Sequence, residues 1–362
     1  MGNLFDYLKE YGQVPFAEKP FNEIDNFIFS QISYLDFGYV ISEDVMLSVV
    51  EASAKYFDVH PSISSLGLVI PSQIIDLFRI LPKYERFADV VLSDYVSTFS
   101  DTEQFSAITF HLPTGVSCVA FRGTDDSIVG WKEDFMLCYR DVPAQKEAVR
   151  YLNSIGRKFP APTYVCGHSK GGNLSVYASA KCRQEVQERI VTVFNNDGPG
   201  FCGDFYQSDD YQKISKKVID IVPQGSIVGM LLEHSEEYKI VQSDYRGIFQ
   251  HDIFSWQIDG DQPLVVDDRT RQSYFFDETL RAALRDMDLE EKKKFVDAFF
   301  GIIEEADVKN LAEVPEKSFD LIYQAIRLDK ESKKLLRIVL RKFLKGSGVT
   351  IKNNLKRRIR KR

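Results

Sequence analysis

The sequence contains few cysteines and lacks any long uncharged apolar run. Its 362 residues include five cysteines, an odd number, and no two of them form a Cys-x-x-Cys pair. This pattern argues against a disulfide framework and is typical of buried thiols in a reducing compartment, so we expect a cytoplasmic protein. No apolar stretch approaches the ~20 residues that cross a bilayer, and the N-terminus lacks the basic start of a signal peptide.

Signatures of nucleotide and metal sites are also missing. The chain has no G-x-x-x-x-G-K-[ST] loop, no H-E-x-x-H pair and no EF-hand loop, so we expect neither a cofactor nor a metal ion. The net charge is −7, yet residues 352–362 carry seven Lys or Arg and no acid. A nucleic-acid-binding protein is usually basic over a whole face, so we expect no nucleic-acid partner. The tail predicts peripheral contact with anionic membrane, and a solvated chain end is the alternative.

The hydrophobic pattern divides the chain into three regions. Residues 1–95 have apolar residues at helical spacing, as in PFNEIDNFIFSQISYLDF, and predict a helical N-terminal region. In residues 96–275, SAITFHL and VSCVAF predict a hairpin, and strand and helix patterns then alternate, which indicates an α/β core with a mainly parallel sheet. Residues 276–362 are charged with helical spacing and predict a helical C-terminal region that ends in the basic tail.

Within the core, four helices are predicted, at about 126–139, 145–158, 172–189 and 227–233. The strands expected between and after them are TYVCG, IVTVFNND, KVIDIVP and KIVQS. The segment HDIFSW, read as an aromatic strand, and a hairpin around 254–266 are expected to close the core.

The turn Gly167-His168-Ser169-Lys170-Gly171 carries the clearest chemical signal. A serine attacks an acyl carbon only when a base removes its proton and donors receive the developing oxyanion. The nucleophile elbow of α/β-hydrolases presents such a serine in a strained strand-to-helix turn, with glycines two residues before and after it. The Gly-x-Ser-x-Gly motif alone is weak evidence for a nucleophile, and a glycine-rich turn without a chemical role is the alternative. Here it follows an apolar strand and opens a helix pattern, which predicts an α/β-hydrolase fold with Ser169 as nucleophile.

Two segments resemble the class 3 (fungal-type) lipases. GHSKGG is similar to their GHSLGG elbow, and VAFRGTDDSIVGWKEDF is similar to their FRG(S/T)…NW…DL stretch, with matching order over residues 116–256. The resemblance implies that the backbone N–H groups of Thr124 and Lys170 form the oxyanion hole. It also implies a lipid ester or other apolar ester as substrate. The flanking regions are not part of the secreted lipases and look like a bacterial branch of lipase-like proteins.

Other residues in the two lipase-like segments are interpreted as structural rather than catalytic. Arg122 and Asp134 are interpreted as an ion pair that braces the oxyanion loop, with plain surface charge as the alternative. Trp131 is interpreted as a core anchor of the loop, and His168 as a packing residue of the elbow.

The order Ser, acid, His in α/β-hydrolases leaves two of the five histidines as candidates for the base. His234 is the last residue of SIVGMLLEH, where a histidine can simply cap a helix C-terminus. His251, in FQHDIFSW, stands where the lipase-like pattern places its histidine and is the predicted base. A loop histidine bonded to a carbonyl is the alternative.

The position of the catalytic acid differs from the class 3 lipase pattern. Class 3 lipases carry it in a D-x-V-P motif, and the matching stretch here is PQGSIVG, with Ser226 in its place. Asp197 ends strand IVTVFNND, so it should emerge on the same sheet edge as Ser169, and it is the predicted third triad member. A turn-starting aspartate without chemistry is the alternative. Asp220 lies inside its strand, and Asp252 adjoins the histidine too closely.

Two functions remain open at this point. The first is a serine hydrolase that cleaves a carboxylic ester, of a small molecule or a lipid, through an acyl-enzyme on Ser169. The second is a hydrolase-fold binding or scaffold protein with an impaired triad, which the serine at position 226 favours.

Overall fold

The structure is a computed structural model. It describes residues 2–42, 44–67, 70–100, 104–125, 132–133, 135–137, 140–235, 237–285, 287–306, 317, 320, 323–324 and 327–334. Within these ranges, no helix combines the length and the apolar character needed to cross a membrane. Most of the predicted helix at 126–139 and the whole basic tail at 352–362 lie outside the described residues. Membrane contact through the tail therefore stays a prediction.

An eight-stranded sheet forms the centre of the protein, and its strands lie side by side in chain order. The strands are β1 (Leu47–Ser48), β2 (Val91–Phe99), β3 (Gln104–His111), β4 (Ser117–Phe121), β5 (Thr163–His168), β6 (Ile190–Asn196), β7 (Val218–Pro223) and β8 (Lys239–Val241). Strands β1 to β4 pair antiparallel, and β4 to β8 pair parallel. The predicted hairpin is confirmed as β3 and β4. A short antiparallel pair, β9 (Ile258–Asp259) and β10 (Gln262–Pro263), forms the second predicted hairpin.

Helices flank the sheet, so the fold is α/β. The described helices are α1 (Leu4–Tyr11), α2 (Glu23–Ile32), α3 (Val49–Val59), α4 (Gln73–Ile80), α5 (Glu85–Ala88), α6 (Pro143–Lys158), α7 (Lys170–Lys181), α8 (Gln184–Gln187), α9 (Asp209–Gln212), α10 (Arg271–Arg285) and α11 (Leu289–Glu305). The helices predicted at 145–158 and 172–189 correspond to α6 and to α7 with α8. The predicted helical N-terminal region contains α1 to α5, and it also supplies β1 and the start of β2. The domain boundaries at 95/96 and 275/276 stay a prediction.

Side chains of the central strands sort onto two buried faces. Cys118 and Cys166 pack with α2 in one apolar cluster, whereas Val119 and Val165 pack with α6 and α7 in another. Successive strand residues point to opposite faces, so both faces of β4 and β5 must be apolar. This explains why VSCVAF and TYVC read as continuous apolar runs rather than alternating ones.

Buried polar contacts join the N-terminal helices to one another and to the sheet. The Arg86 guanidinium lies 2.5 Å from the Asp25 carboxylate, and both side chains are fully buried. On the same helix α2, the amide of Asn26 exchanges two hydrogen bonds with the amide of Asn196, at the end of β6. Helix α2 therefore supports the strand end that leads into Asp197.

Two predicted elements of the core are wrong. Residues 227–233 form bends and turns rather than a helix. The HDIFSW segment is not a strand, because two 3₁₀ helices, Gly247–His251 and Ile253–Ser255, occupy it.

The missing helix has a physical reason, since the backbone of residues 227–233 bonds to the segment that follows β6. The Gly200 N–H donates to the Leu231 carbonyl at 2.9 Å, and Phe201 and Glu233 exchange two backbone hydrogen bonds. Leu232 adopts a φ of +68°, which a helix does not allow. Tertiary hydrogen bonding here replaces the local pattern that the apolar spacing indicated.

Candidate active site

Ser169 lies in a strained turn between β5 and α7. Its backbone has a φ of +58° and a ψ of −132°, a region that non-glycine residues rarely occupy. The Ser169 N–H donates to the Asn196 carbonyl at 3.0 Å, and the Ser169 carbonyl accepts from the Gly172 N–H at 2.8 Å. These bonds hold the turn, which has the strand-to-helix geometry of a nucleophile elbow.

The two glycines of the turn are required by close backbone approach. A Cβ on Gly167 would lie 2.2 Å from the backbone of Gly171, and a Cβ on Gly171 would lie 2.1 Å from the Phe121 carbonyl oxygen. Any side chain at either position would push the turn away from the end of β4. The Gly-x-Ser-x-Gly spacing is therefore a packing requirement of this turn.

His251 and Asp197 lie in direct contact. The His251 Nδ1 is 2.7 Å from Asp197 Oδ2, and the aspartate side chain is fully buried. An ionised carboxylate only accepts hydrogen bonds, so Nδ1 carries the proton and Nε2 keeps its lone pair when the ring is neutral. This is the tautomer that a general base needs.

The second oxygen of Asp197 is held by the segment after β7. The Ser226 hydroxyl donates to Asp197 Oδ1 at 2.5 Å, and the Gly229 N–H donates to the same oxygen at 3.1 Å. With His251, the carboxylate accepts three hydrogen bonds, which offset the cost of its burial. Ser226, which the sequence resemblance aligns with the class 3 acid, thus contacts Asp197, the predicted acid.

The other candidates lie in different networks. Asp220 accepts from the Asn195 amide at 2.7 Å, and burial raises the pKa of its carboxyl to about 6. Asp252 caps the short 3₁₀ helix by accepting from the Phe254 N–H at 2.9 Å. The His234 Nε2 lies 3.4 Å from an Asp277 oxygen.

The residues implied for the oxyanion hole lie beside the serine. Thr124 is buried and lines the same cavity as Ser169. Lys170 is the first residue of α7, so its N–H is among those that the helix itself leaves without an acceptor. Arg122 lies 4.0 Å from Asp125. Its predicted partner Asp134, and Trp131, lie outside the described residues.

Ser169, His251 and Thr124 open into one narrow cavity of about 50 Å³. Its remaining wall is mostly apolar and comes from Ile70, Pro71, Phe135, Pro199, Val228 and Leu231. Tyr34 and His168 complete the described lining. Among the described residues, no group of three or more His, Cys, Asp or Glu side chains is arranged to hold a metal ion.

Sequence reasoning missed the contact between Tyr34 and His168. The His168 Nε2 lies 2.8 Å from the His251 carbonyl oxygen, so this nitrogen carries the proton and donates. Its Nδ1 then accepts from the Tyr34 hydroxyl at 2.9 Å. Burial, with a smaller effect of the nearby His251 ring, lowers the pKa of His168 well below its usual value. A neutral His168 therefore holds the backbone of His251, the candidate base, by a hydrogen bond. This is a further role beside the packing role that the sequence indicated.

A buried ion pair next to the elbow was also missed. The Lys170 ammonium lies 2.9 Å from Glu133 Oε2, and each side chain is only 1% exposed. Lys170 also donates to the Gln104 carbonyl at 2.9 Å, and Glu133 accepts from the Ala144 N–H at 3.1 Å. The class 3 elbow has leucine where Lys170 stands. A buried lysine needs an acid within reach, so the lysine in the elbow signalled that a partner exists, although it did not identify which acid.

Replacing Glu133 with alanine should strongly destabilise the protein, because it leaves the Lys170 ammonium buried without its counter-charge. Breaking a buried pair typically costs about 3–5 kcal/mol. The double variant Glu133→Ala/Lys170→Leu removes both charges and should regain most of that loss. Urea unfolding of the three proteins measures the difference. Equal stability of the single and double variants would contradict the prediction.

Fold and site together define an α/β protein with a Ser, His and Asp arrangement at the carboxyl edge of a mostly parallel sheet. The sequence model of the Mbeg1-like family matches residues 81–301, more than half of the chain. The chain belongs to the Mbeg1-like family.

Two solved structures show distant similarity. The native Rhizomucor miehei lipase propeptide complex has a TM-score of 0.37 and 15% identity, over 60% of this chain and 67% of that chain. The crystal structure of M37 lipase has a TM-score of 0.36 and 15% identity, over 58% of this chain and 70% of that chain. No curated protein has a significantly similar sequence.

Proposed function

We propose that the protein is a serine hydrolase that cleaves carboxylic esters through an acyl-enzyme on Ser169. The observation that carries the proposal is the 2.7 Å contact between His251 Nδ1 and Asp197 Oδ2, with His251 lining the same cavity as Ser169. A serine in an elbow, a histidine and a buried carboxylate are the three parts that activate a hydroxyl nucleophile.

The chemistry follows from the protonation states. His251 Nε2 removes the Ser169 proton as the hydroxyl oxygen attacks the ester carbonyl, and the Asp197 carboxylate stabilises the imidazolium that forms. The backbone N–H groups of Thr124 and Lys170 receive the oxyanion. His251 then protonates the leaving alkoxide, and water, deprotonated by the same histidine, hydrolyses the acyl-enzyme.

The non-catalytic alternative rested on the missing class 3 acid. Asp197 offers a carboxylate from the neighbouring strand, and the Ser226 hydroxyl that replaces the class 3 acid bonds to it. A binding protein has no need for a fully buried carboxylate on a histidine, because burying that charge is costly. The arrangement therefore supports the enzyme.

We also propose a cytoplasmic location. The four cysteines that the structure describes, Cys118, Cys166, Cys182 and Cys202, are free thiols. Cysteines that form no disulfide are typical of a reducing compartment.

A fluorophosphonate probe tests the function directly, because it forms a covalent bond only with an activated serine. We expect the full-length protein to be labelled, and mass spectrometry of the digest to place the label on Ser169. Heat-denatured protein is the control for nonspecific labelling. A folded sample that takes no label, or takes it equally at other serines, would favour the binding or scaffold protein.

A further inference from the structure

The cavity at Ser169 has walls without a permanent charge among the described residues. Its titratable lining groups among the described residues are Tyr34, His168 and His251, and burial keeps His168 neutral. Away from the serine the lining is aliphatic and aromatic, with Ile70, Val228 and Phe135 among its members. Away from the serine, a carboxylate or ammonium on the bound group would lose its hydration without gaining a charged partner from the described lining.

The cavity is also small. Its volume is about 50 Å³. A water-sized group needs roughly 10–15 Å³ on the same measure, so about four non-hydrogen atoms fit. A longer acyl chain would have to displace side chains of the wall, and moving close-packed side chains costs free energy.

Two parts of the wall are tightly held. Ile70 is 7% exposed and belongs to the same apolar cluster as α2. On another side, the Phe135 ring packs 5.8 Å from the Phe299 ring and 5.5 Å from the Phe300 ring of α11, measured between centroids. The N-terminal region and α11 both lie outside the segments that resemble class 3 lipases. These two parts of the cavity boundary therefore come from outside the lipase-like segments.

We propose that Ser169 accepts short, uncharged acyl groups of about two to four carbons, and that Ile70 limits their length. The inference rests on the proposed function and names its substrate class. It differs from the long-chain lipid that the sequence resemblance leaves open.

Initial rates with a series of 4-nitrophenyl esters test the inference. The series contains acetate, butanoate, octanoate, dodecanoate and hexadecanoate, each below its aggregation concentration. We expect kcat/KM to be highest for acetate or butanoate and to fall about 100-fold by dodecanoate. The hemisuccinate ester, which matches butanoate in length but carries a carboxylate, should also be about 100-fold slower than butanoate.

Ile70→Ala removes three carbons from the wall and should raise the ratio of octanoate to butanoate kcat/KM about tenfold. Ile75→Ala is the matched control, because Ile75 is 4% exposed in the same region but does not line the cavity. Its ratio should equal that of the unchanged protein. Leu231→Ala opens the wall from another segment, and it serves as the second variant if Ile70→Ala does not fold.

Three results would overturn the inference while leaving the hydrolase intact. The first is a maximum at dodecanoate or hexadecanoate, and the second is the same chain-length profile for Ile70→Ala or Leu231→Ala as for Ile75→Ala. The third is probe labelling of Ser169 without turnover of acetate or butanoate esters. Absence of both labelling and hydrolysis would instead remove the proposed function, and the inference with it.

Discussion

Alanine at Ser169 is expected to lower kcat for 4-nitrophenyl butanoate by about five to six orders of magnitude. The rate that remains is the uncatalysed rate increased by substrate binding and the oxyanion hole. The hydroxyl is the atom that forms the acyl-enzyme, and no other group can replace it. Alanine keeps the Cβ in the strained turn, so the melting temperature should remain within a few degrees, as for substitutions that leave packing intact.

Ser179→Ala is the matched control for this variant. Ser179 lies on the same helix α7 and is buried, but it does not line the cavity. The same chemical change there should leave kcat within about twofold, because the Ser179 hydroxyl does not reach the cavity. If Ser169→Ala retained more than a few per cent of the activity, Ser169 would not be the nucleophile.

Asparagine at Asp197 is expected to lower kcat about 10⁴-fold, because the amide neither fixes the His251 tautomer nor stabilises the imidazolium. Ser226→Ala should lower kcat by less than about tenfold, since Asp197 keeps its bonds to His251 and Gly229. The measurement is kcat for the same ester, after circular dichroism has shown that each variant is folded.

Asp220→Asn is the control for the loss of a carboxylate at this edge of the sheet. Asp220 lies on the next strand and bonds to Asn195 rather than to a histidine. It should leave kcat nearly unchanged. A large fall for Ser226→Ala together with a small one for Asp197→Asn would show that position 226 orients the histidine, and Asp197 would lose its assignment.

Local signals in the sequence located most of the fold. The hairpin of β3 and β4 and the strands around the elbow follow from apolar runs and turn residues, which need only neighbouring residues to be interpreted. Where the backbone forms hydrogen bonds to another segment, the prediction from the local apolar pattern was wrong. Residues 227–233 have helical apolar spacing, yet their backbone bonds to the segment after β6.

The same distinction applies to the site. Glycines at 167 and 171, with the apolar strand before them and the helix pattern after them, predicted a serine turn, because all of these residues are contiguous. The partnership of Lys170 with Glu133 joins residues 37 positions apart. It depends on the path of the chain between them, which no local pattern encodes.

The sequence by itself determined the strand, turn and helix around Ser169, the order of the candidate residues, and an aspartate at the end of a strand next to the elbow. These features depend on side-chain periodicity and on where glycine is sterically required. Only the tertiary structure decided which oxygen His251 bonds, how Ser226 contacts Asp197, and that Tyr34 and Ile70 close the cavity. These contacts join residues 29 or more positions apart, and they form because the sheet register and the packing of α2 bring separate segments together.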